Sequence, residues 1–342
     1  MKKVVGIFIV LVTVIAVTSV IEPNFMQPGN MKNIARWTGM YGILTIGVSF
    51  VIITGGIDLS VGAIVGLTGT LLPMFLTRQD IQMSPLAAIA LVILVSLVIG
   101  LVHGLLITKL KLQPFVVTLC GLFAYRGIAR YISQDATQGF GSAFQDLRYL
   151  ANGTLFSIPV PFSDKIFDVP VPFVLMIVVG ILAAIFLNRS IYGRYLLALG
   201  NNEQAARYSG INTERMTITA YVISAVLAGF VGMLFAFDLN SVQPSTLGNF
   251  FELYAIAGAV LGGCSLRGGE GSILGVIIGT AIVRVLYNII NILGIATQLE
   301  YTVIGIVLLA GVVMDEILKR YSAARLAERK IQAGNIPGKS LL

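Results

Sequence analysis

Charge is scarce in this chain: 11% of its 342 residues are Asp, Glu, Lys or Arg, while 56% are apolar. A soluble globular domain carries about 25% charged residues, so a chain this poor in charge cannot keep a water-facing surface over its whole length. Histidine occurs once, at His103, and cysteine twice, at Cys120 and Cys264. One imidazole cannot build a multi-histidine metal centre. Two cysteines far apart in sequence, each in or beside an apolar segment, give neither a disulfide framework nor a metal-ligand spacing. No nucleophile signature accompanies His103, so neither catalytic nor metal-binding residues are expected. Acids are also fewer than bases, 16 against 23, for a formal net charge of +7. Excess positive charge attracts phosphate, but here Lys and Arg sit in short connections between apolar runs and in the tail from Lys319 to Lys339. That placement is the signature of cytoplasmic loops and excludes nucleic acid as a partner.

What the chain has in quantity is apolar sequence, with a mean hydropathy of +0.90. Runs long enough to cross a hydrocarbon core, about 17 to 25 residues, recur from end to end. About ten spans are expected, at 4–20, 39–54, 61–76, 85–108, 113–132, 170–187, 216–238, 250–263, 271–294 and 299–318. The fold class that follows is all-α: a polytopic transmembrane helical bundle, 1–321, with a basic cytoplasmic tail at 322–342. Met1-Lys2-Lys3 and the run Val4 to Val20 resemble a secretory signal, but no good small-x-small cleavage site follows, so a retained first helix is expected. With alternating spans and a cytoplasmic N-terminus, fifteen basic residues fall inside, and five, Lys32, Arg36, Arg78, Arg148 and Lys165, outside. The bias obeys the positive-inside rule and places both termini in the cytoplasm. Two connections are long: an external loop, 133–169, and a polar, helix-capable cytoplasmic loop, 188–215.

Glycine is abundant, at 37 residues, and part of it is patterned. Gly55-Gly56-Ile57-Asp58-Leu59-Ser60-Val61-Gly62 and Gly262-Gly263-Cys264-Ser265-Leu266-Arg267-Gly268-Gly269 share GGxxLxxG, each between two apolar spans. The match defines two pseudo-repeated halves with broken segments at Gly55, Gly56, Gly62, Gly262, Gly263 and Gly269. Paired interruptions of this kind point to a transport pathway. Asp58, inside the first segment, is either a pathway residue or the N-cap of a helix starting at Leu59. Arg284 lies deep in a span, where a permanent charge must face the pathway, pair with an acid such as Glu252 or Asp58, or snorkel. Asn288 and Asn291 share a helical face and can offer amides to hydroxyl groups or to a neighbouring helix. Asp58, Glu252, Asn288 and Asn291 are therefore the pathway candidates.

In the cytoplasmic loop, Asn201 to Ile211 reads as a short helix. Asn201 can cap it with Gln204 at N3, Ala205 and Ala206 favour it, and Gly210 suits a left-handed stop. The order Glu203-x-Ala205-Ala206-x-x-x-Gly210 resembles the EAA loop of ABC importer permeases. TGGIDLSVG (54–62), QPFVVTL (113–119) with Arg126-Gly127, ALGNNEQAARYSGIN (198–212), SVQPSTLGNFFEL (241–253) and LGGCSLRGGEGSILG (261–275) extend the likeness. From about residue 30 to 320 the chain resembles the ribose-type monosaccharide permease family of ABC importers. The resemblance implies a helical permease that works in pairs, as two copies or with a sister permease, in the bacterial inner membrane. It also implies a cytoplasmic ABC ATPase, holding ATP and Mg so that this chain needs no cofactor, and a periplasmic or lipid-anchored sugar-binding protein. Glu203, Ala205, Ala206 and Gly210 would then form the ATPase-coupling helix. His103 and Arg284 depart from the family pattern. Related permeases for nucleosides or branched-chain amino acids, and an ion-driven secondary transporter, are the alternatives; the last is disfavoured by the scarcity of carboxylates in the spans. Ala333 to Ser340 mimics a phosphate loop, but no helix can follow it.

Overall fold

The computed structural model describes residues 2–159 and 166–299, together with 301–303, 305, 306, 309 and 313. Residues 1–294 form one compact unit and 295–342 another. Of the second, the described part is a single 3-10 turn at Thr297–Leu299 and the scattered helical residues that follow. The expected span 299–318 lies for the most part, and the tail 322–342 with its phosphate-loop mimic entirely, outside the described residues.

The first unit is helical. In chain order its helices are α1 (Lys2–Ile21), α2 (Pro28–Ile53), α3 (Val61–Thr77), α4 (Pro85–Lys109), α5 (Pro114–Ser133) and α6 (Gln145–Asn152). Then come α7 (Val171–Arg189), α8 (Ile191–Asn201), α9 (Glu203–Tyr208), α10 (Thr213–Leu239), α11 (Phe251–Leu261) and α12 (Ile273–Ile292). Each of the first nine expected spans coincides with one of these helices. Seven are long and apolar enough to cross a membrane, and α3 and α11 are shorter apolar helices. Local chemistry sets the starts. Pro28, Pro85, Pro114 and Pro172 stand in first turns, where the missing N–H costs nothing. Ser84, Ser190, Asn212 and Ser272 accept backbone N–H bonds as N-caps of α4, α8, α10 and α12.

The hub of the bundle is α10, packed on α2, α3 and α4. Hydrocarbon supplies little driving force for helix association in a membrane, so close contact depends on small residues. Gly100 and Gly104 on α4 provide it: a Cβ there would lie 2.6 Å from Val222 Cα and 2.7 Å from Ile218 Cα of α10. Every residue of α2 from Thr38 to Ile53 is buried, whereas α1 is mostly exposed and rests on α12. The sequence expectation began α2 only at Gly39. The helix starts at Pro28 because the polar residues of its first turns are used: Lys32 pairs with Asp168 at 2.9 Å and Arg36 with Asp238 at 3.0 Å.

Those pairs lie at the end of the bundle that carries α6 and two small sheets. Strands β1 (Gln138–Gly139) and β4 (Ser241–Val242) pair antiparallel, as do β2 (Thr154–Pro159) and β3 (Ile166–Pro170). The described residues of segment 133–169 are thus folded onto the helix ends, with Arg148 Nε donating to Phe237 O at 3.1 Å. The Ser157 hydroxyl and the Lys32 ammonium hold the Asp168 carboxyl below the usual carboxylate range. At the opposite end lie the close of α2, α4 and α7, the start of α10, and helices α8 and α9; there Lys109 pairs with Glu214.

Candidate functional site

Helix α9 is short but well terminated. Its N-cap is Asn202, whose Oδ1 accepts from Ala205 N at 2.9 Å. The sequence predicts the cap at Asn201, but α8 runs through that residue, so the cap falls one position later. At the other end Gly210 takes φ +83°, and Ile211 N bonds back to Ala206 O at 3.1 Å. This is the left-handed stop that favours glycine. Ala206 is buried against the body, while Glu203, Gln204, Ala205, Arg207 and Ser209 are exposed and Tyr208 is 89% exposed. An amphipathic knob projects from the end of the bundle, held by its neighbours through one small residue.

The glycine segments converge behind this knob. Helix α2 ends with Gly55 at φ +82° and a Gly56 N to Val51 O bond; α11 ends with Gly263 at φ +87° and a Cys264 N to Ala259 O bond. The two helix stops are the same, but their register differs from the GGxxLxxG match. The backbone sets Gly55 opposite Gly263, not Gly262, and the second loop runs longer, to Ser272. Gly62 accordingly sits within α3, whereas Gly269 remains in a loop. The loops touch: Gly269 N donates to Ile53 O at 2.9 Å, and a Cβ on Gly268 would stand 2.9 Å from Gly55 N and 2.6 Å from Gly200 O. Gly200 belongs to the last turn of α8, directly before α9. A Cβ there would overlap the Ile53 carbonyl oxygen and the Gly269 amide.

Deeper in the bundle, α3 and α11 begin beside each other and run in opposite directions, α3 towards β1 and α11 towards the glycine loops. The turns 243–250 bring the chain into this position. A Cβ on Gly66 would come within 2.7 Å of Leu247 O, and Gly62 lies against Gly248 O and the Glu252 carboxylate. Arg126 of α5 closes the arrangement, donating Nη1 to Pro244 O at 3.2 Å and to Leu247 O. Two helix N-termini meeting inside the bundle, with irregular backbone around them, is the arrangement expected of broken helices in transporters. Asp58 is fully buried next to it. Its Oδ1 accepts from Ser60 N at 3.0 Å and Ser60 Oγ at 2.6 Å, and its Oδ2 from Ser224 Oγ at 3.0 Å. The expected cap therefore shifts: α3 starts at Val61 with Ser60 as its N-cap, and Asp58 braces the segment before it and ties it to α10. Tyr221 OH, also from α10, donates to Ile57 O at 3.2 Å.

The remaining candidates separate. Arg284 makes no ion pair with Glu252 or Asp58. Its guanidinium lies among three rings, 4.4 Å from Tyr41, 4.4 Å from Tyr287 and 5.5 Å from Trp37, and is only 5% exposed. Aromatic faces attract a desolvated cation by about 2 kcal/mol, which an acid-pairing argument from sequence does not anticipate. Asn288 spends its amide on Asn30 of α2, giving at 2.7 Å and receiving at 3.0 Å. Asn291 is exposed and donates to Tyr287 O of its own helix. His103 is buried in α4 and shares a 2.8 Å hydrogen bond with Tyr125 OH. Arg126, Tyr221, Ser224 and Gly200 were not singled out as site residues from the sequence. Arg126 carried a signal, as an unexplained charge within a span; the other three are ordinary residues until the fold brings them to the loops.

Residues 30–312 match the family described as the permease component of branched-chain amino acid transport systems. The ribose import permease protein RbsC of Bacillus subtilis is 35% identical over 91% of this chain and 92% of its own length. The D-allose transport system permease protein AlsC of Escherichia coli is 31% identical over 92% of both chains. The xylose transport system permease protein XylH of Escherichia coli is 31% identical over 92% of this chain and 93% of its own. No solved structure matches significantly.

Proposed function

Because the chain belongs to the permease-component family of branched-chain amino acid transport systems, we propose that it is the membrane-spanning subunit of an ABC importer that carries a monosaccharide into a bacterium. It is a multi-pass protein of the inner membrane, and its part is transport rather than catalysis. What carries the reading is α9, an exposed helix with its own cap and its own glycine stop, projecting beyond the spans as a contact for an ATPase would. In this mechanism two permeases and two ATPases work together, with ATP and Mg bound by the ATPases. Their closure presses on α9 and switches a central path between outward and inward access, while a binding protein delivers the solute to the opposite face. Ribose, allose or xylose is the favoured solute class, supported by similarity to three sugar permeases over nearly the whole chain. Branched-chain amino acids are the second reading, favoured by the description of the family.

Reconstituted in liposomes with its ATPase and binding protein, the permease is expected to take up labelled D-ribose, D-allose or D-xylose in an ATP-dependent, saturable way, and not labelled leucine. Uptake of leucine alone would move the assignment to the second reading. Orientation has its own test. In a background lacking Cys120 and Cys264, a cysteine at Ser142, beside α6, is expected to react with an impermeant thiol reagent added to intact cells. A cysteine at Ser209, at the end of α9, is expected to react only after the membrane is opened. The opposite pattern would place α9 and the ATPase on different sides and end the proposal.

A further inference from the structure

We propose that Gly200 is the pivot through which α9 moves the broken helices, a positioning residue for coupling; this rests on the reading of α9 as the ATPase contact. Three features of the structure carry it. First, no linker separates α8 from α9: Asn201 closes the former, Asn202 caps the latter, and Asn202 N still bonds to Ala198 O at 3.1 Å. A push on α9 therefore reaches the last turn of α8 without slack. Second, that turn meets both glycine loops at once. Gly200 fits against Ile53 O and the Gly269 amide, Gly268 against Gly200 O and Gly55 N, and Gly269 against Asn201 Cα, 2.8 Å from where its Cβ would stand. These are contacts of backbone on backbone. Side chains can absorb a displacement by changing rotamer, but apposed main chains in a close-packed interior pass it on.

Third, the two loops lead to the elements that would have to move. From Gly55 the chain runs in six residues to Val61, the start of α3, past Asp58 and its anchor on Ser224. From Gly269 it runs through Ser272 into α12, while its other side is the end of α11. The hydrogen bond from Gly269 N to Ile53 O binds the loops to each other, so that they shift as one body. Helices α3 and α11, whose starts abut inside the bundle, are thus connected to one point at the foot of the coupling helix. Coupling needs an element with two arrangements that both sites bias; the glycine junction supplies the rigid link between the ATPase contact and that element.

The test uses the whole transporter in liposomes, with the best-transported sugar among D-ribose, D-allose and D-xylose as probe, and reads sugar taken up per ATP hydrolysed. Three proteins are compared with the unmodified one: Gly200→Ala; an insertion of two glycines between the exposed Asn201 and Asn202; and Gly100→Ala. Gly200→Ala forces the α8 turn off the loops. The insertion adds nothing to the junction but gives α9 slack. Both are expected to retain the ATPase on purification and to lose about tenfold or more in sugar per ATP, the scale of a typical coupling free energy. Gly100→Ala crowds α4 against the α10 backbone, 2.6 Å from Val222 Cα, away from the glycine loops, and is expected to lower thermal stability in detergent while leaving the ratio unchanged. A normal ratio in the glycine-insertion protein would overturn the proposal even if Gly200→Ala failed to fold. So would an equal loss of ratio in Gly100→Ala, which would make the effect one of packing. Absence of the ATPase from the unmodified complex would instead remove the reading of α9 on which the proposal stands.

Discussion

Replacing Gly210 by Val is expected to leave the permease in the membrane at normal abundance yet to reduce both ATPase copurification and sugar uptake about tenfold. The substitution is unusually clean. Nothing lies within 4 Å of the place a Cβ would take at Gly210, so no clash arises. The whole effect comes from the backbone, held at φ +83°. For an ordinary residue this left-handed conformation costs about 1 to 2 kcal/mol, and β-branching makes it worse. A six-residue helix has little to set against that cost. Its stop would unwind, and the exposed face would lose its shape without any change in the spans. Gly210→Asn should restore most of the binding, because asparagine tolerates the left-handed region. Equal damage from Val and Asn would show that position 210 matters for its surface rather than for its backbone. Full activity in the Val protein would reduce α9 to a simple connector.

A second large effect is expected at Asp58. Its two oxygens receive three donors in a fully buried position: the Ser60 amide, the Ser60 hydroxyl and the Ser224 hydroxyl. Asp58→Ala strands all three, at about 1 to 3 kcal/mol for each buried donor left unpaired. That is enough to deplete the folded protein, and uptake should fall with its abundance. Asp58→Asn is expected to behave differently. The amide oxygen can keep the Ser60 pair, and the amide nitrogen can donate to Ser224 Oγ, since a hydroxyl also accepts. The charge is lost and the bond with Ser224 reverses direction, while none of the described contacts of Asp58 is with a cation. Transport by Asp58→Asn should therefore stay within about threefold of normal, as for a hydrogen bond retained rather than removed. If that protein accumulates and melts normally but transports nothing, the negative charge itself serves the pathway, and the bracing role described here is insufficient.

The spans were legible where burial and lipid exposure both demand apolar residues, as in α4, α7 and α12. Legibility failed where polar residues have private partners. The first turns of α2 read as a loop because Asn30, Lys32 and Arg36 look solvent-bound; their partners, Asn288, Asp168 and Asp238, are more than 130 residues away in the chain except through the fold. The glycine repeat was visible in composition but one residue out of register, since a four-position match follows letters while the true equivalence is a helix stop at Gly55 and Gly263. Asn201 and Asn202 are chemically identical caps, and only the length of α8 chooses between them. Arg284 could be recognised as a buried charge, but its partners are rings rather than acids. Asn288 illustrates the reverse limit, an amide whose donors and acceptors suit a sugar and are taken by Asn30 instead. The beginning of α11 deep in the bundle depends on the turns at 243–250, whose Pro, Ser, Gly and Asn announce a break without saying how far into the bundle it lies.

The contrast between α1 and α2 bears on how the protein is made. Helix α1 is far more apolar than α2 yet is mostly exposed, while α2 lies at the heart of the bundle. A nascent helix enters the bilayer according to its own transfer free energy, and by that measure α1 can leave the translocon unaided. Helix α2, with Lys32, Asn33 and Arg36 in its first turns, gains much less from lipid alone. Its packing and its ion pair wait for α10, made more than 150 residues later, which brings Asp238 to meet Arg36. The order of synthesis thus leaves the charged start of the central helix without its acids until the distant partners have been made.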